Sequence, residues 1–421
     1  MGDSRTNWGG NYVYQAARVH SPTTFDELRS IVTGSTKLRV LGSRHSFNPI
    51  ADTSGDQISL EHFNRILEID PERGTATIEG GATYSQIAPA LHEAGFALHN
   101  LASLPHISVA GACATATHGS GNANGNLATS VVALELLTAD GDVVQLSRDD
   151  ADDTFFGAVV GLGALGVVTK LTLKVEPTFL AQQAVYEELP WHHIDESFDQ
   201  ISGAAYSVSL FTDWRPDWIN QVWLKDKLAD ANARPLEPTF FGARLAPTHR
   251  HPITELPADP CTPQMGQPGP WYDRLPHFRI GKTPSNGAEL QSEYFVPRRH
   301  AVAAIRAVAQ LHSQIAPLLL ISEIRTVAAD TFWMSPSYQQ DVVGLHFTWK
   351  RDWPAVQQLL PRIEAVLAPF EVRPHWGKLF TLSPADVQRH YTQLDAFRAL
   401  INRYDPRGVF RNSFIDAYIF G

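Results

Sequence analysis

The chain has 421 residues, 43% of them hydrophobic and 10% aromatic, and 34 Lys and Arg against 44 Asp and Glu give a formal net charge of -10. That length exceeds what one ordinary core requires and favours two domains of a soluble globular protein, while the acidic balance argues against nucleic acid or an anionic membrane as partner. Met1 to Gly10 is polar and no run of about 18 apolar residues occurs, so no export signal or membrane span is expected and the cytoplasm is the expected compartment.

In chain order, Thr24 followed three residues later by Glu27 predicts a capping box at a helix start. Leu38–Leu41 predicts a strand, and it runs into Gly42-Ser43-Arg44-His45-Ser46-Phe47. Such a glycine-serine turn exposes consecutive backbone N–H groups that can hold a pyrophosphate, and His45 offers a nucleophilic ring nitrogen beside it. Ile66 to Ile69 and Thr75 to Glu79 predict a hairpin across Asp70-Pro71-Glu72-Arg73-Gly74. Tyr84, Ile87, Ala88 and Leu91 have the spacing of an amphipathic helix that Gly95 ends. Residues 108–121 have almost no large side chains, so the backbone can approach a bulky planar ligand closely; an ordinary surface loop is the alternative. Cys113 and Cys261 form no metal-ligand pair and read as free thiols, with one disulfide as the alternative, and no metal site is expected.

Gly161-Leu162-Gly163-Ala164-Leu165-Gly166 spells the dinucleotide fingerprint, but a short helix precedes it and a β-branched strand, Val167–Leu173, follows. A Rossmann turn needs the reverse order. From about residue 179 the composition shifts, and residues 226–286 form a proline-rich irregular excursion, not a linker, because Phe240, Phe241, Trp271 and Tyr272 require burial. Then come a strand (Glu289 to Val296), a helix (Val302 to Ile315), two strands (Leu318 to Val327 and Val342 to Lys350), a helix (Val356 to Leu367) that Pro361 should kink or split, and a strand (Val372 to Phe380). This is a split-βαβ order. Residues two apart on a strand share a face, so Glu323 pairs with Arg325 and His346 with Thr348. Convergence of the two pairs would suit a small polyhydroxylated molecule; the alternative is a solvated face with a salt bridge. Lys378 by itself reads as a surface lysine.

The stretches Gly42–Asn48, Ala102–Gly111, Thr117–Gly121, Ala204–Trp214, Glu323–Asp330 and Arg373–Lys378 resemble the vanillyl-alcohol-oxidase type of flavoprotein, in its branch that oxidises alditols. The resemblance implies an α+β, two-domain fold: an FAD-binding domain over 1–178, completed by about 385–421, and a split-βαβ (ferredoxin-like) substrate-binding cap over 179–384. It implies FAD attached through its 8α-methyl group to His45. The other flavin contacts would be Arg39, Val40, Leu41, Gly42, Ser43, Arg44 and Ser46 in the turn, with Ser103, Ser108, Gly111, Thr115, Thr117, His118 and Val168. The substrate pocket would be Ser103, Glu323, Arg325, His346, Thr348 and Lys378, with Lys378, Arg325 and His346 at the reacting end. The implied reaction oxidises the terminal alcohol of xylitol or sorbitol by hydride transfer to flavin N5, with dioxygen reduced to hydrogen peroxide. Small Ala102 would leave oxygen room to reach the flavin. A polyol and dioxygen are then the expected partners of a monomer; an aldonolactone oxidase or dehydrogenase, or a binding module without turnover, are the alternatives. Arg44 departs from the glycine of a near relative, and the proline-rich excursion matches poorly.

Overall fold

A computed structural model describes residues 5–229, 232–282 and 288–421. The first four residues of the polar start and positions 230, 231 and 283–286 of the proline-rich excursion lie outside the described residues. Among those described, a small sheet sets Asp56–Ser59 parallel to both Arg18–His20 and Leu38–Leu41. Its core joins Leu28 and Val32 of the helix Phe25–Gly34 to Leu38, Ile58, and Val409 and Phe410 of the C-terminal tail. Thr24 caps that helix by accepting from Glu27 N at 3.2 Å. The Glu27 carboxylate, however, returns to Thr23 N at 2.8 Å, one residue ahead of the expected box.

A five-stranded antiparallel sheet has the order Ile66–Asp70, Thr75–Glu79, Val167–Lys174, Val131–Leu137, Val143–Ser147. The predicted hairpin forms its edge. The glycine run lies between the helix Thr154–Ala158 and the strand Val167–Lys174, so its order is helix, turn, strand, and it opens no helix.

The largest sheet, of ten strands, carries the split-βαβ unit at one end. There Leu319–Val327 pairs with Val342–Lys350, that strand with Glu289–Pro297, and the last with Arg373–Pro374, all antiparallel. The helices Ala301–Ala309 and Trp353–Leu367 share one hydrophobic core with these strands. The sheet then continues through Ser207–Thr212, Trp218–Leu228 and Leu180–Pro190, strands that the sequence pattern does not reveal. Both faces of these strands are mostly buried, so polar and apolar residues do not alternate along them.

Three expectations need correction. Trp353–Leu367 is one helix and Pro361 does not split it; Pro361 is exposed, so its missing N–H falls on the solvent side. The helix expected over Val302 to Ile315 stops at Ala309 and resumes as His312–Ile315. Of the strand expected over Val372 to Phe380, only Arg373–Pro374 pairs, because proline supplies no ladder donor and the chain turns at Gly377, whose N–H donates to His375 Nδ1 at 3.0 Å. The proline-rich excursion is packed in part: of its four aromatics Trp271 is fully buried while Phe240, Phe241 and Tyr272 are half-buried, and Ile253 and Cys261 join a cluster with Trp223 and Phe211. Both cysteines are buried free thiols. No helix among the described residues is long and apolar enough to cross a membrane.

Candidate active site

The strand Leu38–Leu41 ends at Gly42, and the chain turns through Arg44 at φ 62°. A side chain in that left-handed region costs about 1–2 kcal/mol, so the turn holds Arg44 in a conformation that glycine would adopt more readily. Ser43 and Ser108 lock the turn to the small-residue segment: Ser108 N donates to Ser43 Oγ at 3.1 Å, and Ser43 N to Ser108 Oγ at 3.4 Å. Gly42 and Gly111 flank this lock so closely that a Cβ would lie 2.5 and 2.6 Å from Ser108 Oγ. His45 Nδ1 lies 2.9 Å from Ser43 O and its Nε2 lies 2.9 Å from His106 Nε2, while Trp8 stacks on the ring with centroids 5.0 Å apart. Burial, then His106 and Lys378, push the imidazole down to about 3, so it is neutral.

The next residues bolt this turn to the loop that bears Lys378. Phe47 N donates to Gly377 O at 2.7 Å, and Asn48 Nδ2 to the carbonyls of Trp376 and Lys378 at 2.8 Å each. Sheet register supplies the facing wall. His346 lies opposite Glu323 on one neighbouring strand and opposite Glu293 on the other, and Thr348 lies opposite Gln291.

Glu293, 2% exposed, is the hub. Its Oε1 lies 3.1 Å from His118 Nε2 and accepts from Arg325 Nη2 at 2.8 Å; its Oε2 lies 3.4 Å from His346 Nδ1. Burial would raise this carboxyl, but His118, Arg325 and His346 together hold it well below the usual carboxylate range. Glu323 accepts from His277 Nε2 at 2.8 Å and lies 3.5 Å from Arg325 Nε; Arg325 and His277 likewise outweigh its burial and keep it ionised. Burial opposes the Arg325 charge, yet Glu323 and Glu293 raise its affinity for the proton. Burial lowers His346, with Glu293 opposing, and its Nε2 lies 3.2 Å from Thr348 Oγ1. Lys378 Nζ donates to Gln291 Oε1 and sits 5.0 Å from the Phe47 ring centroid. Burial pulls its ammonium down to about 8.

These groups line one cleft, which encloses about 1550 Å³ counted out to its solvent-facing mouth. The cleft brings together Arg39 to Ser46, Ser103, Ser108, Gly111, Thr115, Thr117 and His118 with Glu323, Arg325, His346, Thr348 and Lys378. Ala102 lines it too, and Ser103 Oγ lies 3.5 Å from Arg325 Nη1. One expected contact lies elsewhere, and Arg39, although it lines the cleft, has its side chain engaged in structure. Val168 lies in the five-stranded sheet opposite Leu136 and does not line the cleft. The Arg39 guanidinium is buried against the carbonyls of Ile50, Leu162, Gly163 and Phe410 at 2.5–2.9 Å; it clamps the tail and the glycine turn and has two of its three nitrogens committed to backbone.

Sequence reasoning missed Glu293, Gln291 and Glu289, although three polar residues at period two on a predicted strand were a usable signal. It also missed His106, Trp8, His375 and His277. Nothing periodic marks His277, which comes from the proline-rich excursion.

The residues present fit an extended flavin nucleotide. One end of the cleft is a turn of close-approaching glycines and serines, where a Cβ on Gly42 or Gly111 would fill the space beside Ser108 Oγ, and the facing wall carries the charged and polar groups of the sheet. The FAD binding domain family model matches residues 16–147, and the D-arabinono-1,4-lactone oxidase model matches residues 286–418. Cholesterol oxidase from Brevibacterium sterolicum has the same fold, with a TM-score of 0.79 at 16% identity over 98% of this chain and 96% of that one. Fold, cleft and model match define the class, the vanillyl-alcohol-oxidase-type FAD flavoproteins. An alditol oxidase from a Streptomyces species is 47% identical over 418 residues, 99% of each chain, whereas the L-gulono-1,4-lactone dehydrogenase of Mycobacterium tuberculosis is 28% identical over 97% of each. Within its class this chain belongs to the alditol oxidase family.

Proposed function

We propose that this enzyme oxidises the terminal primary alcohol of alditols, xylitol and sorbitol among them, to the aldose, with dioxygen reduced to hydrogen peroxide, in the cytoplasm. The observation that carries the reading is the single cleft wall on which Glu323, Arg325, His346, Thr348 and Lys378 converge beside the His45 turn. A polyol needs several hydroxyls met at once by donors and acceptors, and this wall offers a carboxylate, a guanidinium, an imidazole, a hydroxyl and an amine. Bound FAD supplies the acceptor for the hydride and passes the electrons to dioxygen.

The residues divide the remaining work. Ser103, Glu323, His346 and Thr348 hold the hydroxyls and so orient the substrate. Arg325, kept charged by Glu293 and Glu323, faces the reacting oxygen and stabilises its developing negative charge. Lys378, the amine whose proton is loosened to about 8, takes the hydroxyl proton. His45 holds the flavin covalently through the 8α-methyl group; its neutral ring, fixed by Ser43, His106 and Trp8, supports that assignment.

The match of residues 286–418 to the D-arabinono-1,4-lactone oxidase model keeps a lactone oxidase or dehydrogenase as the second reading. Peroxide production measured with xylitol, sorbitol and an aldonolactone separates the two. Peroxide from polyols and none from the lactone is expected; bleaching of the flavin by lactone alone under anaerobic conditions overturns the alditol reading.

A further inference from the structure

Beside Glu323, part of the cleft wall comes from the proline-rich excursion, where His277 and Phe278 line the cavity with His251 to Ile253. Behind His277 lies Lys225, 1% exposed, on the strand Trp218–Leu228. Lys225 does not line the cleft. Its Nζ lies 2.5 Å from Leu275 O, 3.0 Å from Pro276 O and 3.1 Å from His277 Nδ1. An ammonium has three protons and no lone pair, so three acceptors satisfy it and His277 Nδ1 must be the bare nitrogen. The imidazole proton is therefore on Nε2, which donates to Glu323 Oε1 at 2.8 Å. Phe211 and Trp223 pack edge-on against the imidazole, with centroids 5.3 and 5.2 Å away, and hold its orientation.

We propose that Lys225 and His277 form a positioning relay behind Glu323: it occupies Oε1 and so fixes Oε2, which stands 3.5 Å from Arg325 Nε, to accept a substrate hydroxyl beside that guanidinium, setting the enzyme's grip on polyols. The inference rests on the polyol-oxidation reading above. An acceptor aimed by a fixed donor loses no freedom when the hydroxyl arrives, whereas a carboxylate free to rotate does. Lys225 acts only through His277, and the relay bears on substrate affinity more than on the chemical step.

The test is steady-state and anaerobic kinetics with xylitol on the flavin-loaded enzyme. Burial lowers Lys225 to about 7, so assays run about one unit below that keep the ammonium. Lys225→Met and His277→Leu are expected to raise KM for xylitol about 10- to 100-fold, with a smaller fall in the limiting rate of flavin reduction, as befits loss of a hydrogen bond to a charged group. His277→Gln, which keeps a donor near Nε2, should recover most of the loss. In a Glu323→Gln background Lys225→Met should add less than about threefold, because the shared partner is already altered. An unshifted KM in variants that remain yellow, or an undiminished Lys225→Met effect in that background, overturns the relay. Should Lys225→Met not fold, His277→Leu and His277→Gln carry the test. Wild-type enzyme that yields no peroxide from any polyol overturns the functional reading instead; in failure of the relay alone, wild-type turnover is intact.

Discussion

At Lys378, burial pulls the ammonium down to about 8 while Glu293 opposes and Arg325 reinforces the shift. A proton acceptor works in its neutral form, so the rate of flavin reduction by xylitol should rise with pH through about 8 and level off above it. Rapid anaerobic mixing across that range should show this limb, and Lys378→Met should abolish it and slow reduction by about 10²–10⁴-fold. A rate that falls as pH rises through 8 would assign Lys378 to charge stabilisation instead. Nothing around Lys378 in the sequence predicts its role, because its burial and its partner Gln291 come from a distant strand. His45 differs, since the glycine-serine turn beside it is visible locally. Acid-precipitated wild-type protein should stay yellow, and His45→Ala should release its flavin into the supernatant; a colourless wild-type pellet removes the covalent link but not FAD binding.

Among elements, the polar face of the split-βαβ sheet was half legible. Alternation marked Glu323, Arg325, His346 and Thr348, but the ladder register put Glu293 opposite His346, so a carboxylate from the strand Glu289–Pro297 meets both His346 and Arg325. Breaking a buried pair costs about 3–5 kcal/mol, so Glu293→Gln should lower the melting temperature as well as activity. In the FAD-binding half, Gly80 is one of several tightly packed glycines. Its N–H donates to Thr169 O at 2.9 Å, and a Cβ there would run into the Val168 carbonyl oxygen, a backbone atom that cannot swing aside. Gly80→Ala should therefore destabilise the protein by about 1–3 kcal/mol, seen as a lower urea midpoint with an unchanged slope. A midpoint within error of wild type would mean that the five-stranded sheet can spread there. Pro361 shows the opposite tolerance, because an exposed position lets the helix continue through it.

For the molecule as a whole, several buried groups tie stability to pH. Burial, with Lys225 adding to it, lowers His277 to about 4, whereas it titrates near 6.5 when unfolded. Below pH 6.5 the unfolded chain thus binds protons the native state refuses, and stability falls as pH falls from about 6.5 towards 4. Glu293 and Glu323, held low, add a second loss as pH drops through the ordinary carboxylate range. Asp330, raised by burial to about 6, works in the other direction and offsets part of the histidine effect. Calorimetry should show a melting temperature that declines below about pH 6.5, with a shallower decline in His277→Leu; a flat profile down to pH 5 would contradict these burials. The C-terminal tail shows why this pH response belongs to one unit. Asn412 Nδ2 bonds the carbonyls of Pro49, Ile50 and Asp52, Arg39 holds Phe410 O, and Leu38 N donates to Val409 O, so the last residues brace the strand that leads into the His45 turn. By itself the amino-acid sequence determined what depends on neighbours along the chain: the strand-turn site of His45, the small-residue segment, the rejected dinucleotide fingerprint and the same-face pairs on strands, all set by periodicity and turn chemistry. Only the tertiary structure decided that Glu293 is the hub, that Lys378 is a half-buried amine lining the cleft, that Arg39 is a clamp and that Lys225 and His277 stand behind Glu323. Those roles come from register between strands and from burial by segments up to hundreds of residues away, and neither leaves a local pattern to read.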